Sequence, residues 1–104
     1  MKIVEGDRIQ RFNGQDQTIA VEIQMGRKDA AKFLSELWGS VSPLIMPQTD
    51  DQALSEWTDR GRCVRSSYSG GMVRIRTHAW HHSGDDKELH EDVLKFLRSK
   101  EIIE

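Results

Sequence analysis

At 104 residues the chain has room for one domain around one core, and 37% hydrophobic with 31% charged residues excludes a disordered composition. Its formal net charge of −2 sets it apart from dedicated nucleic-acid binders, most of which are basic overall. The single cysteine, Cys63, excludes an internal disulfide and a four-cysteine zinc site.

Glu5 and Asp7 interrupt the opening MKIVEGDRIQ, where an export signal needs an unbroken apolar run. No window approaches 18 apolar residues, so no membrane span is expected. These features together lead to the expectation of a cytoplasmic protein.

The first strand signal is Ile3-Val4, cut short by Gly6 and Asp7. Arg8–Phe12 and Gln17–Met25 then flank Asn13-Gly14, the strongest short-range hairpin signal of the chain. In the second arm Ile19, Val21, Ile23 and Met25 alternate with Ala20, Glu22 and Gln24. This is the pattern of a sheet with one buried face. The four-residue link NGQD leaves the register open, because a slip of one residue exchanges the faces.

A helix is predicted from about Lys28 to Trp38. Ala30, Phe33, Leu34, Leu37 and Trp38 form its apolar stripe, and Gly39 is placed as its stop. Pro43 and Pro47 bracket Leu44-Ile45-Met46, which is therefore expected as a buried connection or a short edge strand. Thr49 or Asp50 caps a second predicted helix running to about Asp59, with Ala53, Leu54 and Trp57 inward. The Asp50-Asp51 pair suits the positive end of that helix. Of the three tryptophans, Trp38, Trp57 and Trp80, at least two are expected in the core.

Arg62–Ser69 and Met72–His81 form a second predicted hairpin around Gly70-Gly71. With those glycines as the turn, Tyr68 pairs with Val73, Ser66 with Ile75, Val64 with Thr77 and Arg62 with Ala79. The other face carries Cys63, Arg65, Ser67, Arg74, Arg76 and His78. Arg65 and Arg76 then stand directly opposite each other, an unfavourable pairing that calls for a countercharge. An acid elsewhere in the chain, a phosphate or a partner's carboxylate would supply it. Ser83 or Asp85 starts the last predicted helix, with Leu89, Val93, Phe96 and Leu97 inward, and Ile102-Ile103 either pack back or form a sticky tail. The predicted fold class is α+β: an antiparallel sheet built from two hairpins, with helices packed on one face.

Functional signals concentrate in 61–84, which holds four arginines and no acid, while residues 1–60 and 85–104 each carry more Asp and Glu than Lys and Arg. Such a patch holds a phosphate backbone or meets an acidic protein surface. The arginine face has no aromatic residue for base stacking, since Tyr68 falls on the opposite side, and this favours protein over nucleic acid. His78, His81, His82 and His90 with Cys63, Asp85 and Asp86 match no specific metal-ligand spacing. His90, beside Glu91 and Asp92, is expected in a surface pair. Cys63 across from His78 is the one nucleophile–base combination, and a flat ribbon offers it neither pocket nor oxyanion hole. No glycine-rich phosphate loop occurs.

The sequence-based expectation is a small non-enzymatic protein-binding module of inhibitor, immunity or regulatory-adaptor type. Its expected contacts are Arg65, Arg74, Arg76 and His78, with Tyr68 or Trp80 as aromatic anchors at the edge. No cofactor, metal or membrane contact is expected, and a homodimer is compatible with the sequence. The alternative is an RNA or single-stranded DNA binding protein using the same arginine ribbon.

Overall fold

The computed structural model describes residues 2–6, 10–12, 16–41, 47–55, 57–59, 64–78 and 84–103, with side chains described at 2–3, 20–41, 47–55, 66–77 and 90–103. Among the described residues six strands form one antiparallel sheet: β1 (Lys2–Gly6), β2 (Gln10–Phe12), β3 (Asp16–Gln24), β4 (Trp57–Asp59), β5 (Val64–Ser69) and β6 (Met72–His78). The described residues also form three helices: α1 (Arg27–Val41), α2 (Asp50–Leu54) and α3 (Gly84–Ser99). The order across the sheet is β1-β3-β6-β5-β4, and β2 continues beside β3 where β1 leaves off. The two predicted hairpins therefore meet at β3 and β6, which run through the middle of the sheet.

Alternation decides the faces. Val21, Ile23, Val73, Ile75 and Thr77 are buried, while Gln24, Arg74 and Arg76 between them are exposed. The helices close the buried face. From α1 come Ala30, Phe33, Leu34, Leu37, Trp38 and Val41, and from α3 come Val93, Leu94, Phe96 and Leu97. Phe33 and Phe96 meet edge to face at 5.4 Å, joining the two helices. Each fully buried leucine contributes about 1.5–3 kcal/mol by leaving water.

Two polar seams cross this core. Trp38 Nε1 donates to Ser66 Oγ at 3.1 Å, tying α1 to β5. His90 Nδ1 stands 3.4 Å from Thr77 Oγ1, tying α3 to β6. His90 is 1% exposed and therefore not in a surface pair. Its spacing to Val93, Leu94 and Leu97 puts it on the apolar stripe, and that position outweighs its acidic sequence neighbours.

Three local expectations are corrected. Helix α1 runs through Gly39 to Val41, because Val41 extends the stripe of Leu34, Leu37 and Trp38 and is itself buried. That burial offsets a glycine cost of about 1 kcal/mol. Helix α2 is capped by Thr49, whose hydroxyl accepts from Gln52 N at 3.1 Å, but it stops at Leu54. Trp57–Asp59 instead forms edge strand β4 against β5, with Trp57 opposite Ser66. The spacing of Ala53, Leu54 and Trp57 fits a helix, yet pairing with β5 gives the backbone of 57–59 its hydrogen bonds and leaves α2 at five residues.

The last helix ends in a left-handed cap at Glu101, φ 60°. Ile102 N donates to Leu97 O and Glu101 N to Arg98 O, both at 2.9 Å. These are the two bonds of a Schellman motif, and they fold Ile102 back over Leu97 into the core. Of the two expectations for Ile102-Ile103, packing back is the one observed. The segment Leu44–Met46 lies outside the described residues.

Candidate functional site

Among the described residues the helices leave one face of the sheet uncovered, and the second hairpin dominates it. Gly70 and Gly71 both have positive φ, 58° and 82°, so they make a two-residue turn whose twist matches the strands it joins. That turn sets the pairing Tyr68 with Val73, Ser66 with Ile75 and Val64 with Thr77, as the sequence predicts. Arg65 consequently stands opposite Arg76, and Ser67 opposite Arg74. The pairing Arg62 to Ala79 lies outside the described residues.

Strand β3 supplies the other neighbours of β6: Glu22 beside Arg74, and Ala20 beside Arg76. The uncovered face is therefore built in rows across the strands. Next to the turn is a row of Lys2, Gln24, Met72 and Ser69, which holds one lysine and no arginine. The next row, Glu22, Arg74 and Ser67 with Glu5 of β1 as the register partner of Glu22, contains its own ion pair, with Arg74 Nε 3.1 Å from Glu22 Oε1. The third row, Ala20, Arg76, Arg65 and Thr58, contains two arginines and no acid.

The countercharge that the arginine ribbon requires thus comes partly from within the chain. It comes from β3 rather than from the acidic last helix, which packs on the opposite face. Both partners of the Glu22–Arg74 pair are partly solvated, with side chains 30% and 63% exposed, so the pair adds little to stability. Arg76 is exposed and has no ion-pair partner among the described residues. A shallow open hollow of about 250 Å³ lies between the two charged rows, lined in part by Ala20, Glu22, Ser67, Arg74 and Arg76. The small side chains of Ala20 and Ser67 make the space, and the guanidinium groups give it positive sign.

The six residues expected to contact a partner divide into three groups. Arg74 and Arg76 share the uncovered face. Arg65 and His78 are placed by backbone register alone, opposite Arg76 and Thr18. Tyr68 is half-buried and packs against the core, on the side opposite the arginines as its register predicts, and Trp80 lies outside the described residues. Cys63, His81 and His82, the other members of the metal and thiol combinations, also lie outside them. Sequence reasoning missed Glu22 as a site residue. Its signal lay in the β3 alternation, which puts Glu22 on the polar face, but pairing of β3 with β6 rather than with another strand could not be read from spacing.

Such an arrangement suits anion recognition. A guanidinium holds a carboxylate or phosphate through paired N–H donors, and a nearby hydroxyl adds a third donor. No helix among the described residues is long and apolar enough to cross a membrane. The chain matches no protein-family model, no curated protein and no solved structure.

Proposed function

We propose that this protein is a non-enzymatic binding module of inhibitor, immunity or regulatory-adaptor type that docks an acidic protein surface on its uncovered sheet face. One observation carries the reading: Arg74 and Arg76 are exposed on the middle strand of a sheet whose other face buries Val21, Ile23, Val73 and Ile75 in a core shared with the helices. The mechanism is steric masking guided by charge. Complementary charge accelerates encounter and sets orientation, while the flat sheet supplies area.

Protein is favoured over nucleic acid on two grounds. The net charge of −2 opposes a polyanion at long range. Tyr68, the aromatic residue of the hairpin strands, is turned toward the core and offers no platform for bases.

Affinity capture from the source cell's extract, with and without nuclease, tests the reading against an Arg74→Glu/Arg76→Glu variant. Nuclease-resistant capture of protein by the natural chain, lost in the variant, is the expected result. Capture abolished by nuclease would transfer the face to nucleic acid. Capture equal in both proteins would remove the face from the interaction altogether.

A further inference from the structure

The two exposed arginines of β6 are not equivalent. Arg74 is held by Glu22, while the row of Arg76 holds a second arginine and no carboxylate. We propose that Arg76 and the hollow beside it form a carboxylate subsite that seats one Asp or Glu side chain of the partner, and that Glu22 withholds Arg74 from it. This rests on the reading of the uncovered face as the docking surface and names the chemistry that the face selects.

Geometry and charge support the assignment together. Ala20 leaves room on one flank of Arg76, and half-buried Ser67 brings a hydroxyl donor to the same hollow. Arg65 is the register partner of Arg76 along the backbone. The Arg76 guanidinium, exposed and with no ion-pair partner among the described residues, offers its paired donors to an incoming carboxylate. Glu22 acts in the opposite sense. It lies diagonally across from Arg76, roughly 7–8 Å away at the backbone, and repels a second carboxylate that approaches Arg74. A single subsite with a fixed position follows, rather than a diffuse basic stripe.

Titration of isotope-labelled protein with hexaglutamate, followed by amide and arginine Nε–H NMR shifts, tests this. The expected result is saturable shifts centred on Ala20, Ser67 and Arg76. Arg76→Ala abolishes them and Arg76→Lys, which keeps the charge but loses the paired donors, retains a fraction. Arg74→Ala changes the apparent Kd by less than about twofold, while Glu22→Gln tightens binding by about two- to fivefold, the scale of one surface charge contact. Equal loss in Arg74→Ala and Arg76→Ala would overturn the subsite, as would unchanged or weaker binding by Glu22→Gln. Oligouridylate binding more tightly than hexaglutamate at equal charge and salt would overturn it in favour of a phosphate ligand. Absent peptide shifts with protein capture still lost in the double charge reversal would sink the subsite but leave the docking face standing. Absence of both would sink the two together.

Discussion

The two faces of the sheet are alternate residues of the same strands, yet they are finished differently. On the helix side every described sheet polar group that is buried meets a polar partner from a helix: Ser66 meets Trp38, and Thr77 meets His90. On the other side Arg74 has one solvated acid and Arg76 has none among the described residues. Buried polar groups are costly unless paired, so the inner face admits few alternatives. Solvated charges cost little wherever they stand, so the outer face is free to serve an external partner. Substitutions on the two sides should separate these regimes.

The largest effect is expected at Trp38, which is fully buried and reaches from α1 to β5. Trp38→Ala removes its packing and strands the Ser66 hydroxyl, for a loss of about 3–5 kcal/mol in urea unfolding. A loss below about 1 kcal/mol would mean that α1 repacks without it. Thr77→Val keeps the shape of its side chain and removes one oxygen from the second seam. The expected cost is about 1–2 kcal/mol, with a change in the His90 ring resonances. An unchanged urea midpoint would show that the imidazole does not depend on this contact.

Much of this division was legible in the sequence, and the reason is periodicity. The alternation in β3 and β6 and the Gly70-Gly71 turn were enough to predict the faces and the pairing of the second hairpin. The apolar stripes of α1 and α3 were equally plain. What failed was arbitration between structures that a short segment supports equally well. Trp57 sits at helical spacing from Ala53, yet the free edge of β5 captured 57–59 as a strand, a decision made by residues that arrive later in the chain. Likewise, the acids flanking His90 suggested a surface, while its distance from Leu94 and Leu97 was the better guide. The candidate site was half legible: the arginine face followed from register, but the Glu22–Arg74 pair required knowing that the two hairpins join at β3 and β6.

A gain in stability is expected outside both faces. Glu101 adopts φ 60°, a left-handed conformation that costs a side-chain-bearing residue about 1 kcal/mol or more relative to glycine. Glu101→Gly keeps the Schellman bonds and relieves that cost, raising stability by about 0.5–1 kcal/mol. The glycine also gains freedom in the unfolded chain, which limits the benefit. A destabilised variant would indicate that the Glu101 side chain contributes to the cap.

The smallest effect is expected where the charges are most conspicuous. A double-mutant cycle of Glu22→Gln and Arg74→Ala isolates the pair from the loss of either side chain. Because Arg74 is 63% exposed, the coupling should be about 0.2–1 kcal/mol and should fade toward zero in 1 M salt, where the Debye length is about 3 Å. Arg76→Ala alone should leave the unfolding midpoint within about 0.5 kcal/mol of the natural chain. A coupling above about 2 kcal/mol that survives high salt would make the pair a structural clasp between the two hairpins. The face would then be part of the fold's own framework, and a partner could not recruit Arg74 without opening the seam between β3 and β6.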